Sequence, residues 1–371
     1  MYDVIVVGAR VAGSPTAMLL ARRGYKVLLV DRDEFPSDTM STHYVHFPGM
    51  ARLRNWGLLD RLWGAGTPPI EKFTVFLGDQ QFSPPRLSEE TPCAPRRYVL
   101  DTLLAEAAVE AGAELRAGFS VRELIFEDDA VVGIRGATRG SSEVIEERAR
   151  LVVGADGLHS VVARHVKPPE YDTVPSLTFA YYAYFSGVES DGAEMHPMDD
   201  GGMLLFPTNN DMACIAVGGP SEGFHAFRED IEGNFFKFVD RSTSLGPRVR
   251  AGKREERFIG TNDQPNYFRR PYGPGWALVG DAGYHRDFIT GFGINDSFRD
   301  AELLAKAADA WLSGTRPFDD AMGEYEMTRN KLAKPLYDVT LSMARGELDP
   351  NAFLQIGPGL LAQMPEAMPG G

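Results

Sequence analysis

The sequence predicts an α/β protein in two parts, a Rossmann-like nucleotide-binding domain with a second, mainly-β domain inserted into it. Three observations predict this. Residues 3–31 read as strand, glycine turn, helix, strand and acid. Residues 172–186 and 203–218 read as long strands rich in aromatic side chains. An apolar strand, "WALVG", returns at 276 after that insertion, so one domain collects residues from separate segments of the chain.

Asp3–Val7 is a continuous apolar run, as expected of a strand covered on both faces. Residues 13–23 have helical spacing, with Pro15 in the first turn and Gly24 as a stop. Lys26–Val30 is a second buried strand, and Asp31 ends it. Residues 48–63 read as a helix broken at Gly57. The helix over 98–111 carries Leu100, Leu103, Leu104, Ala107 and Ala111 on one face and stops at Gly112. Short strands follow from 114 to 154. A helix is expected between about 221 and 245, and a long one from about 296 to 312. The tail over 348–371 is rich in Pro, Gly and Met and reads as irregular or as a short helix. The nucleotide-binding domain then comprises 1–70, 96–170 and 266–335, the inserted domain 71–95 and 171–265, and a C-terminal helix and tail 336–371.

Composition narrows the function. With 371 residues, 43% hydrophobic and 24% charged, the chain has an ordinary globular composition. A net charge of −14 argues against nucleic acid and anionic membrane as partners. Cys93 and Cys214 fit neither a disulfide framework nor a metal spacing, and no metal site is expected. No apolar run approaches the ~20 residues of a membrane span. The first strand begins too early to leave room for a signal peptide, so the cytoplasm is the expected location.

The chemistry starts at "GARVAG". Gly8 permits the tight turn, and Gly13 lets helix and strand pack closely, with Ala12 in the same turn. The helix start offers unpaired N–H groups to phosphates. Asp31 stands where an acid accepts hydrogen bonds from a ribose. Arg10 takes the place of the second glycine. Its side chain either turns away from the nucleotide or lies along the pyrophosphate as a charge, and the second reading is preferred.

Two later stretches, "RLVVGADGLHSVVAR" at 150–164 and "GDAGYHRDFITGFGINDSFRDAE" at 280–302, follow that turn in order. Together the three resemble the p-hydroxybenzoate hydroxylase family, the single-component class A flavoprotein monooxygenases, over about residues 1–330. The resemblance implies a glutathione-reductase-2-type FAD fold, with FAD as cofactor and NAD(P)H as a transient reductant. Gly8, Gly13 and Asp31 would hold the ADP part. Gly280 and Asp281 would meet the ribityl and pyrophosphate region, and Gly291, Gly293, Ile294 and Asn295 the flavin pyrimidine edge. Arg97 would reach the cofactor ahead of its helix, and Asp156 would contact FAD indirectly and help with the nicotinamide. Arg32 is a weaker candidate for that encounter, and Arg52 reads as solvated surface. Reduced flavin is negative near N1 and the C2 oxygen. A helix starting near 296, with Ser297 and Asp300 as a capping box, would stabilise that charge.

The implied reaction uses O2 and a peroxyflavin to hydroxylate a small molecule, aromatic or polyketide-like. His285, beside the flavin loop, and His43, in "MSTHYVHFPG", are the candidate bases, with a structural role as the alternative for each. Tyr182, Tyr184, Phe206 and Phe288 are candidates for an aromatic-lined pocket that suits a flat, apolar substrate. Strand alternation sets Phe179, Tyr181 and Phe185 on one face and Tyr182 and Tyr184 on the other, and one of these faces must be core or surface. Relatives usually have proline at the position of Phe288. The scaffold is shared with geranylgeranyl reductases, the second reading, and with flavin halogenases, the third. Halogenases carry a lysine soon after the first acidic strand end and a "WxWxIP" stretch, and neither is found here. A non-catalytic FAD-fold module is the fourth reading.

Overall fold

A computed structural model describes residues 1–348 apart from Asp79 and Leu87, so the reading of the tail beyond 348 lies outside the described residues. The first strand, Tyr2–Val7, is central to a parallel sheet, between Val27–Val30 and Ile145–Gly154. Outside these lie Glu114–Arg116 on one side and Trp276–Leu278 on the other. Val4, Ile5 and Val6 are fully buried because helices and a β-hairpin cover both faces. The hairpin strands, Phe119–Glu127 and Ala130–Thr138, and the adjoining Ile145–Gly154 are nine or ten residues long, longer than the short strands expected.

A second sheet is ordered Lys253–Arg254, Thr178–Ser186, Met212–Pro220, Gly201–Thr208, Ala193–Met198, Phe73–Leu77 and Gln80–Phe82. Its aromatic strand shows the expected alternation. Phe179, Tyr181 and Phe185 pack on Phe224, Phe227 and Phe235 of two short helices, Phe224–Glu229 and Ile231–Val239, and are core. Tyr182 and Tyr184 face the other way, with Phe206 and Cys214.

Four expectations are corrected. The strand read over 172–186 is two, because Pro175 interrupts it: Glu170–Val174 pairs with Asn266–Arg269 in a separate three-stranded sheet. The stretch 203–218 is a hairpin whose turn puts Asn210 and Asp211 at φ 63° and 53°. The helix read over 221–245 is split at Asp230, which caps the second piece through Gly233 N–H at 2.9 Å. A 27-residue helix, Phe318–Ala344, packs along Gly293–Leu312 and was not foreseen at that length.

Candidate active site

One cleft of about 690 Å³ is lined by Gly8, Arg10, Asp31, Arg32 and Arg97 of the nucleotide-binding half. The same cleft is lined by Tyr182 and Phe206 of the second sheet, and by Asp281, His285 and Phe288. Its volume suits a large cofactor or ligand.

The turn needs its two remaining glycines. Gly8 has φ +103°, and a Cβ there would lie 2.4 Å from the Ala155 carbonyl oxygen. A Cβ on Gly13 would lie 1.7 Å from the Gly8 carbonyl oxygen. The helix Gly13–Ala21 starts with no side-chain cap; Ser14 N–H donates to the Arg10 carbonyl at 3.0 Å and Pro15 has no N–H, so an anion would meet the backbone of the turn just before it and the positive end of the helix. Asp31 accepts the N–H groups of Ala9 at 2.7 Å and Asp33 at 2.9 Å, and burial pushes its carboxyl upward. It thus braces the turn beside the position where a ribose would sit.

Arg10 spends its guanidinium on the protein. Nη1 donates to Asp101 at 2.6 Å, and Nη2 to Asp33 at 3.1 Å and to the Ser37 hydroxyl at 3.1 Å. Asp101 is fully buried and also accepts Nε of Arg97 at 3.0 Å. This geometry corrects the preferred reading: Arg10 ties the turn to the helix Arg97–Glu110 and is not a free charge for the pyrophosphate. Arg97, held by Nε on Asp101, lines the cleft. Arg32 is largely exposed, 4.0 Å from Asp33. Asp156 lines the cleft but spends both oxygens on Ser160 (2.5 Å) and Val161 N–H (2.6 Å), capping a short helix, while burial raises its carboxyl.

The second glycine-rich segment shapes the other part. Gly280 has φ +60°. The Asp281 side chain lines the cleft with no hydrogen-bond partner among the described residues, and burial raises its carboxyl. Gly291 at φ +67° turns the chain directly into a helix that begins at Gly293, three residues before the expected start. The capping box is therefore absent. The Ser297 hydroxyl donates to the Gly293 carbonyl at 2.9 Å, and Asp300 pairs with Arg299 at 2.7 Å. Ile294 lines the cleft in the first turn. Asn295, expected at the flavin edge, is instead buried behind the cleft lining, with neither amide atom hydrogen-bonded among the described residues. An unpaired carboxylate and two helix N-termini at one cleft fit a dinucleotide.

The candidate bases differ in position. His285 lines the cleft, and its Nδ1 lies 2.5 Å from the Pro265 carbonyl oxygen. That partner is an acceptor, so Nδ1 carries a proton and the neutral ring keeps Nε2 as an acceptor. His43 is fully buried at φ 62°, behind the cleft wall, with Nε2 2.6 Å from the Tyr184 hydroxyl and Nδ1 without a partner among the described residues. Tyr184 stands behind the wall with it, under the Arg96 guanidinium at 3.6 Å. His43 and Tyr184 are thus corrected from cleft-surface groups to supports of Tyr182 and Phe206, which do line the cleft.

Burial lowers His43 to about 3 from 6.5, and His46 to about 3. Between these values the unfolded chain binds the proton and the native protein does not, so each histidine lowers stability as pH falls from about 6.5 toward 3. In urea titrations, His43→Asn, which tolerates the left-handed φ, is expected to make this acid slope shallower by up to about 1.4 kcal/mol per pH unit. An unchanged slope would show that burial leaves His43 titrating normally.

Four charged residues at the site escaped the sequence reading. Asp101 had a signal, an acid four residues after Arg97 on one helix face. Arg96 had none, because its partners Asp38 and Glu256 come from distant segments, and Arg286 meets Asp296 only through the left-handed turn at Gly291. Arg52, read as surface, is buried at 2% exposure and pairs with buried Glu302 at 2.8 Å.

Comparison with known proteins identifies the family. A family model described as FAD binding domain matches residues 1–218. Digeranylgeranylglycerophospholipid reductase 1 of Methanococcoides burtonii is 29% identical over 322 residues, 82% of this chain and 73% of that protein. Monooxygenase cfoF of Aspergillus candidus is 30% identical over 248 residues, 60% of this chain and 58% of that protein. The fold is similar to the myxobacterial chondrochloren halogenase CndH, with TM-score 0.85 at 20% identity over 96% of this chain and 90% of that one. It is also similar to PqsL, a probable FAD-dependent monooxygenase from Pseudomonas aeruginosa, with TM-score 0.80 at 21% identity over 97% of this chain and 99% of that one. With that match spanning more than half its length, the chain belongs to the FAD binding domain family and is an FAD-dependent oxidoreductase.

Proposed function

We propose that the chain is an NAD(P)H- and O2-dependent monooxygenase that hydroxylates a flat, largely apolar small molecule. One observation carries the reading. The sheet face opposite the "GDAGYHRDFITGFGIN" segment offers Tyr182, Leu204 and Phe206 around the small side chains of Ala180, Cys214 and Ala216, all lining the same cleft. The small residues leave room for a planar ring, and the aromatic ones exclude water from it. Bound FAD would supply the reducing electrons and the oxygen activation. Gly8, Asp31, Arg97, Asp281, Gly291 and Ile294 would hold it, with Gly13 keeping the first turn tight. His285 would accept a proton from a substrate hydroxyl through Nε2, while its Nδ1–H stays on the Pro265 carbonyl. Phe288 would close the pocket beside it.

A reductase acting on carbon–carbon double bonds is the second reading. The digeranylgeranylglycerophospholipid reductases favour it by covering most of this chain. Purified protein is expected to carry FAD and to oxidise NAD(P)H with O2 uptake when given a phenolic substrate, yielding a product heavier by one oxygen. Anaerobic turnover of a polyene, without oxygen incorporation, would overturn the hydroxylase reading and favour the reductase.

A further inference from the structure

Among the residues lining the cleft in the segment 280–297, Arg286 is the one lysine or arginine. It is 6% exposed. Nη1 donates to the Tyr284 hydroxyl at 2.8 Å. Nη2 lies 2.7 Å from Asp296 Oδ2 as an ion pair. Nε is buried with no hydrogen-bond partner among the described residues. Asp296 also lines the cleft, in the first turn of the helix Gly293–Leu312. Its other oxygen pairs with Arg299 at 2.7 Å, and Arg299 pairs in turn with fully buried Asp300. The charges alternate inward from the cleft: Arg286, Asp296, Arg299, Asp300.

The position of Asp296 creates a conflict. An acid in the first helical turn stabilises the helix by opposing its positive end. That same positive end is what would favour the extra negative charge of reduced flavin, so a bare Asp296 would cancel it. Asp281 and Asp287 line the same segment and add negative potential. Arg299 is shared between Asp296 and Asp300, so the cation on the cleft side of Asp296, Arg286, is what restores the balance.

We propose that Arg286 sets the redox potential of the bound flavin by offsetting Asp296 at the helix N-terminus. This rests on FAD occupying the cleft, and it holds for a hydroxylase or a reductase alike. Arg286 acts through the field at the helix start, and its unpartnered Nε leaves one donor free for an acceptor in the cleft.

The test is a spectrophotometric redox titration of the FAD-bound protein, with no substrate turnover. Arg286→Gln is expected to weaken binding of reduced relative to oxidised FAD by about tenfold, which for a two-electron couple lowers the midpoint by about 30 mV. Asp296→Asn is expected to move it the other way. The double variant is expected to return near the parent value, and Arg286→Lys to stay close to it. A role confined to packing would not produce opposite signs at the two positions. A midpoint unmoved in Arg286→Gln, or shifted in one direction by both single variants, would overturn this inference and leave the proposed function standing. A parent protein that binds no FAD would overturn both.

Discussion

Gly13→Ala is expected to give a colourless protein. The new methyl would lie 1.7 Å from the Gly8 carbonyl oxygen and 3.1 Å from Ala155 Cβ. Neither neighbour can yield cheaply. Gly8 follows the central strand, its N–H bonded to Val30 at 2.8 Å, and Ala155 N–H is bonded to Val7 at 2.8 Å. Relieving the clash must push the helix Gly13–Ala21 off the sheet, which moves the N–H groups that would hold the phosphates. Overpacking of this kind costs about 1–3 kcal/mol or more. FAD content after purification and the urea midpoint would both fall. Gly64→Ala is the control: it ends a helix, no heavy atom lies within 4 Å of the new methyl, and its stability is expected to rise by about 0.5–1 kcal/mol. A Gly13→Ala protein that stays yellow with parental FAD affinity would refute the close-packing account of the turn.

Arg52→Ala is expected to be the largest stability loss away from the turn. Arg52 Nε donates to Glu302 at 2.8 Å and Nη1 to the Pro48 carbonyl at 3.0 Å, and both charged side chains are under 5% exposed. Removing one partner of a buried pair strands the other charge, at a cost of about 3–5 kcal/mol. That is a large share of the roughly 5–15 kcal/mol by which domains are stable. Replacing both residues with apolar ones, Arg52→Met with Glu302→Leu, is expected to recover most of the loss, because no charge is then left buried. Urea denaturation of both variants distinguishes the cases, and a single variant that loses under about 1 kcal/mol would refute a stranded Glu302. The pair joins the helix Phe47–Asn55 to the helix Gly293–Leu312, so the loss should also weaken FAD retention.

The parts legible in the sequence were those set by local chemistry. The strand–turn–helix at residues 2–21 followed from apolar runs and from glycines that no other residue can replace. The two faces of Thr178–Ser186 followed from strand alternation alone. Asp31 was found where its strand ends, because an acid closing a buried strand leaves few positions for its carboxylate. The helix start at Gly293 was misplaced because Ser297 and Asp300 imitate a capping box, while the actual turn depends on the left-handed Gly291.

What only the tertiary structure decided were the partners of charges. Arg10 read as a ligand for phosphate until Asp101, 91 residues away, was seen to hold it. Arg52 read as surface until Glu302, 250 residues away, was found against it. His43 read as a cleft base until the second sheet brought Tyr184 onto its Nε2. A glycine's role is fixed by its own backbone and near neighbours, so sequence can show it. A charge's role depends on what stands within a few ångströms when the chain is folded, and residues so far apart in sequence meet only through the packing of whole sheets and helices.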